Sequence, residues 1–281
     1  MLTLPKLEKV NFSGIDFFTD DALYSDTGIR IAFSCRVGGV SKDQWESLNL
    51  GSHVDDNISD VMENRELLLK ALCSYNSDSQ FPLCSSGSKI TRHQTKITNP
   101  HQVHGDTVFL VNSKDQIFDG DEGDGVVCNC EGIAPLLCFA DCAPVILAAN
   151  NGAFAVVHAG WRGVVNKISA KAFLMLVDKC KCDPSEINAY VGAHIRQCCF
   201  EVGDEVAEIF RGTFGENVLC KKVDKFSVSM AAALKMQLMA VGLKEERFCD
   251  LGLCTKCNED LFYSYRATDG KCGRHGAIAF R

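Results

Sequence analysis

Apolar residues gather in the middle of this 281-residue chain rather than spreading evenly along it. Residues 134–141 (APLLCFAD), 144–149 (PVILAA) and 153–160 (AFAVVHAG) are near-continuous apolar runs, the pattern of strands covered on both faces. Residues 107–111 (TVFLV) and 125–128 (GVVC) are shorter β-branched runs that predict two more strands. Between the last two long runs stands Asn150-Asn151-Gly152, residue types that tolerate positive φ and predict a tight hairpin turn. Beyond Gly163 the period becomes helical over 164–180, and a strand is predicted at 187–193. Helical periods also cover 61–75, 203–214 and 225–243, and the tail at 261–280 predicts a hairpin joined through Asp269-Gly270. Residues 74–98, rich in Ser, Thr, Asn and Gly, predict a long surface loop inserted into one domain spanning 1–281, because neither flank holds a complete core. Strands and helices alternate without a regular βαβ repeat, which predicts a mixed, α+β single domain.

The hairpin has a chemical consequence. In an antiparallel pair, opposite residues share one face. A three-residue loop flanked by Ala148 and Gly152 sets Cys142 directly opposite His158, with Cβ atoms ~4.5–5.5 Å apart. A register slipped by two keeps them on one face as diagonal neighbours, whereas a two-residue turn sends them to opposite faces. A Cys and a His so placed can share a metal, with Zn–S ~2.3 Å and Zn–N ~2.0–2.1 Å. They can equally form a thiolate–imidazolium pair for nucleophilic catalysis, or be a buried thiol beside a histidine held by backbone groups.

A further histidine favours the metal. His101 and His104, three apart before the strand at 107–111, face opposite ways on an extended segment, so one of them enters a site. His104, beside Gly105, is the better placed. Two His and one Cys leave a fourth tetrahedral position for water, the mark of a catalytic zinc site; the metal brings that water's pKa towards ~7. Asp141 is a candidate general base or supporting carboxylate, with a salt-bridged structural role as the alternative. Arg162 lies in HAGWRG, where two glycines bend the chain at a strand-to-helix junction. An Arg there suits phosphate or carboxylate recognition, beside the dipole of the helix start; capping or surface exposure is the plainer alternative. Tyr263, Tyr265 and Arg266 line a pocket or pack the tail strands.

Charge and cysteine content narrow the classes. Lys plus Arg number 29 against 36 Asp plus Glu, a net charge of -7, without the dense basic face that nucleic acid requires. No apolar run reaches the ~20 residues of a spanning helix, and the opening MLTLPKLEKVNF lacks the basic and apolar regions of a secretory signal. A cytoplasmic location without membrane or nucleic-acid partners is the expectation. Most of the 16 cysteines lie in apolar runs, where a reduced thiol acts as a small hydrophobe. Cys254 and Cys257 form one CxxC without a second such pair, which argues against a structural zinc knuckle. Cys128-Asn-Cys130, Cys180-Lys-Cys182 and Cys198-Cys199 read as core or incidental thiols. Seven histidines with no His-x-His pair fall short of the roughly ten that a blue-copper site plus a trinuclear cluster needs.

SCRVGGVS (34–41), SLNLGSHVDD (47–56), ENR (63–65), QVHGD (102–106), FADCAPV (139–145), VVHAGWRGVV (156–165), VGAHIRQCCFEVG (191–203) and the tail from CT at 254 through FYSYRATDGKCGRHGAIAF follow one another in order. Together they resemble the laccase-domain family, also called the multicopper polyphenol oxidase-like family, whose members are described as purine nucleoside phosphorylases with adenosine deaminase activity. The resemblance implies a four-layer α/β/β/α fold with mixed sheets. It implies zinc on His104, Cys142 and His158, copper being the less favoured metal. It implies purine nucleosides (adenosine, inosine, guanosine, methylthioadenosine) and phosphate as small-molecule partners. Asp141 and Arg162 are then catalytic candidates, and Arg36, Asn49 and Arg266 substrate-binding ones. A metal-free Cys–His hydrolase or amidase, including one that edits cell-wall precursors, is the alternative; copper oxidation of phenols is disfavoured. The chain departs from the family pattern at Gly192-Ala193, in place of Gly-Pro, and at Ser34-Cys35-Arg36, in place of Ser-Thr-Arg. No pattern in the chain specifies an oligomer.

Overall fold

A computed structural model describes residues 2–78 and 95–281. Two six-stranded mixed sheets form its centre. The first runs β1 (Glu8–Phe12), β2 (Ile15–Thr19), β3 (Arg30–Ser34), β15 (His275–Phe280), β7 (Ile133–Phe139) and β4 (Lys96–Thr98). The second runs β14 (Phe248–Asp250), β10 (Ile187–Val191), β8 (Ala143–Ala149), β9 (Phe154–Ala159), β6 (Gly125–Cys128) and β5 (Val108–Val111). A small third sheet joins β11 (Glu201–Val202), β13 (Phe226–Val228) and β12 (Leu219–Lys221).

The period-two alternation of the central strands sorts their side chains into layers. On β7, Ile133, Leu137 and Phe139 face the second sheet, while Ala134, Leu136 and Cys138 face the other way, against Leu68, Leu69 and Leu72 of α2 (Ile58–Asp78). On β8 and β9, Ile146, Ala148, Phe154 and Val156 point between the sheets. Val145, Leu147, Ala155 and Val157 instead meet Phe173 and Leu176 of α4 (Ile168–Cys180) and Leu234 and Leu238 of α6 (Met230–Ala240). The layers are therefore helix, sheet, sheet, helix. Three further α-helices among the described residues are α1 (Asp21–Thr27), α3 (Trp161–Val165) and α5 (Asp204–Phe214). No helix among the described residues is long and apolar enough to cross a membrane.

Four local expectations are corrected. The helix expected over 164–180 is two: α3 (Trp161–Val165) and α4, separated by Lys167 at φ 59. The one expected over 225–243 is β13 followed by α6, because the Ser229 side chain caps the helix by accepting from Ala232 N–H. The tail is no hairpin: only His275–Phe280 is a strand, and it inserts between β3 and β7. The loop expected at 74–98 is entered by α2 through Asp78 and left by β4, and residues 79–94 lie outside the described residues.

A candidate metal centre in an arginine-lined cavity

β8 and β9 pair Ala143 with Ala159 and Pro144 with His158. The connecting loop is Asn150-Asn151-Gly152, closed by a 2.9 Å bond from Ala149 N–H to Ala153 O, with Gly152 at φ 89. The odd loop length keeps Cys142 and His158 on one face, as the chemistry requires. The register, however, is slipped by two from the directly opposed one, so they are diagonal neighbours. Both side chains share the face of Ile146, Ala148 and Val156, so the pair opens at the end of the layer between the sheets. The bend that carries Cys142 out of β8 passes through Asp141 at φ 93.

His104 reaches the pair from the turn before β5. Its own φ is 58, a left-handed conformation that a neighbouring group must hold in place. Asp124, fully buried at the start of β6, holds it. Its Oδ1 accepts from His104 N–H at 3.0 Å, and its Oδ2 accepts from Gly105 N–H at 2.7 Å and Val103 N–H at 3.3 Å. The same Oδ1 lies 2.7 Å from His158 Nδ1. An ionised carboxylate only accepts, so the imidazole proton resides on Nδ1 and Nε2 faces the cavity. One buried carboxylate thus orients both histidines. The ligating atoms of His104, Cys142 and His158 all lie within 4.8 Å of one another. A Cβ on Gly160 would sit 3.1 Å from His104 Cδ2, 3.4 Å from Cys142 Sγ and 3.7 Å from His158 Cε1. Glycine at this point leaves the space between the three donors clear.

The electrostatics follow from this packing. Burial pushes the Cys142 thiol up, but the charge of His158 and hydrogen bonds from both histidines outweigh it and bring the pKa down to about 6. Burial likewise disfavours the charged form of His158, but the Cys142 charge and the Asp124 bond raise it to about 9. In the metal-free chain the two form a thiolate–imidazolium pair at neutral pH. Since thiolate alkylates and thiol does not, the iodoacetamide rate at Cys142 of metal-stripped protein should rise with a midpoint near pH 6 rather than near the ordinary ~8.5. Mass spectrometry of the labelled peptide measures it; a midpoint above 8 would show that the pair does not form.

Above these donors lies a cavity of about 470 Å³, within the range of small-molecule sites. Its walls include Trp161, Phe200 and Tyr265 together with Arg162, Arg266 and Arg274. The model described as multi-copper polyphenol oxidoreductase laccase matches residues 30–281. The chain belongs to this family. Purine nucleoside phosphorylase YlmD of Bacillus subtilis is 31% identical over 86% of this chain and 84% of its own length. Adenosine deaminase RL5, from an unknown prokaryotic organism, is 29% identical over 86% of this chain and 90% of its own. The crystal structure of YlmD from Geobacillus stearothermophilus matches with a TM-score of 0.80 at 28% identity, covering 95% of this chain and 96% of that one.

Not all residues expected at the site of this family member reach the cavity. Asp141, Arg162 and Arg266 line it. Arg162 is exposed and stacks on Trp161, its guanidinium carbon 4.4 Å from the ring centre. Asp141 accepts from Thr255 Oγ1 at 2.6 Å and from Arg266 N–H at 2.7 Å, clasping the tail to the bend. Arg36 and Asn49 do not line the cavity. Arg36 donates to Glu46 O and Glu259 O and stacks on Tyr263. Asn49, fully buried, accepts from Arg274 N–H at 2.8 Å and so fixes a residue that does line it. Sequence reading missed Asp124, His53, Gln102 and Arg274. Asp124 is hidden among Asp119, Asp121 and Glu122, which resemble a solvated acidic run. Gln102 stands in the QVHGD segment itself, and its amide pairs with both Cys138 N–H and Cys138 O.

Proposed function

We propose that this chain is an enzyme of purine nucleosides, cleaving them with phosphate and deaminating adenosine, with zinc on His104, Cys142 and His158. The convergence of these three donors beneath arginines and aromatic faces carries the proposal. Two imidazoles and a thiolate suit zinc, and Gly160 leaves room between them. Bound there, zinc supplies a Lewis acid with an open coordination position and a source of hydroxide at neutral pH.

The protein's own groups supply the rest. Trp161, Phe200 and Tyr265 offer ring faces on which a flat purine stacks. Arg162, Arg266 and Arg274 neutralise a phosphate and stabilise charge that grows as the glycosidic bond breaks. Asp124 fixes the His158 tautomer. Asp141, on the cavity wall, is the carboxylate assigned to move protons. Seven histidines cannot assemble the copper set that the family's description suggests.

Purified protein is expected to release hypoxanthine from inosine only when phosphate is present, and ammonia from adenosine; base release that does not depend on phosphate, together with no ammonia from adenosine, would remove the reading. Arg162→Ala should raise the KM for phosphate about 10-fold or more with a smaller change in kcat, the loss of a charge-assisted contact being about 1.5–3 kcal/mol. Steady-state kinetics at varied phosphate measure it, and an unchanged KM would take Arg162 out of the anion site.

A second reading has its own observation. The lowered Cys142 thiol, His158 and Asp124 are ordered as a nucleophile, its base and the base's orienting carboxylate. A metal-free hydrolase or amidase would be active after metal removal and silenced by alkylation.

A further inference from the structure

Fifteen described cysteines are free, and four of them stand apart from the rest. Cys198 and Cys199 lie on the turn between β10 and β11; Cys254 and Cys257 lie just after β14. Cys198 and Cys199, which read as incidental thiols along the chain, meet the lone CxxC after folding, a second pair brought from about sixty residues away as adjacent cysteines. All four Sγ atoms lie within 4.8 Å of one another. Cys257 Sγ is 3.8 Å from Cys198 Sγ and 3.4 Å from Cys199 Sγ. For a tetrahedral ion with Zn–S of ~2.3 Å, the sulfur–sulfur edge is ~3.8 Å.

We propose that Cys198, Cys199, Cys254 and Cys257 form a second metal site, closed and four-thiolate, of the class that takes zinc. Buried thiols that act as hydrophobes, such as Cys138 and Cys73, sit inside the core clusters. Here Cys254 is buried at the edge of a core cluster, but Cys198 and Cys257 are exposed and Cys199 is only half-buried, so burial of apolar surface does not explain why all four gather. Backbone N–H groups of Arg196 and Cys257 point to Cys254 Sγ, the former at 3.4 Å. Donors of this kind support a coordinating thiolate. A disulfide would use two of the sulfurs and leave two beside it; four mutual neighbours suit one tetrahedral ion.

The site's position gives it a task. Thr255, next to Cys254, donates to Asp141, and Phe200, next to Cys199, lines the cavity. A metal held by all four cysteines ties together two segments that border the site. With no open position it is structural rather than catalytic. It shares no ligand with the open centre.

The test separates the two sites. Full-length His104→Ala/Cys142→Ala protein, which lacks the open centre, is purified under reducing conditions without chelator. It should retain one zinc per chain by elemental analysis, and adding Cys254→Ser and Cys257→Ser should bring this to zero. Titrated with Co²⁺ after zinc removal, the double variant should show intense thiolate-to-cobalt charge-transfer absorption and the visible bands of a tetrahedral site. Where the cysteine variants fail to fold, this titration decides alone. A double variant without metal, cobalt absorption lacking the charge-transfer bands, or a Cys199–Cys257 disulfide found under the same conditions would each overturn the proposal.

Discussion

Cys142→Ala is expected to bring phosphate-dependent base release to background and to empty the open centre together. Loss of a group that merely supports a metal ligand typically lowers affinity or activity about 10–100-fold, so losing the ligand itself should exceed about 100-fold. The fold should survive, because Cys142 is only half-buried and lies outside β8. Cys142→Ala alone does not separate a metal ligand from a nucleophile. His104→Ala does. His104 is exposed and would be the third ligand of the proposed metal, whereas His158 and Asp124 already complete a nucleophilic arrangement without it. Paired turnover and zinc-content measurements should show His104→Ala losing both, by a factor close to that of Cys142→Ala. Full activity in His104→Ala would favour the nucleophile reading.

The second large effect belongs to Asp124, which does not itself line the cavity but holds two histidines that do. Asp124→Ala removes the acceptor for three backbone N–H groups and for His158 Nδ1. Each buried donor left unpaired costs about 1–3 kcal/mol, so the variant should lose several kcal/mol of stability and release His104 from its left-handed turn. Asp124→Asn keeps the shape and removes the charge. It is expected to fold, with a melting temperature between those of the other two proteins and a zinc affinity about 10–100-fold weaker. Calorimetry and chelator competition measure the two quantities. Wild-type affinity in Asp124→Asn would show that the histidines are oriented by something else.

The meeting of Cys142 with His158 is legible because parity is legible. An odd loop after Asn150 puts Cys142 and His158 on one face whatever the slip, and a two-residue slip changes only their offset. What fixes the slip is the bond between Ala149 and Ala153, which the turn residues alone do not specify. The layered core was legible too, since two-sided apolar runs at β7, β8 and β9 require cover on both faces. Elsewhere local pattern misled. Residues 225–243 carry one apolar stretch, and only the Ser229 cap divides strand from helix. Residues 261–273 alternate as a strand would, yet they form turns that wrap the Asp141 carboxylate through Arg266 N–H. Asp124 and the partnership of Cys198 and Cys199 with Cys254 and Cys257 were hidden for the same reason: each depends on segments that meet only after folding.

Hypoxanthine release from inosine by metal-stripped protein, before and after zinc is restored, tests the central claim most directly. The open centre predicts no phosphate-dependent turnover in the stripped chain and its return as zinc is added back, while His104→Ala gains nothing from the same additions. Undiminished turnover in stripped protein, abolished by alkylating Cys142, would contradict it.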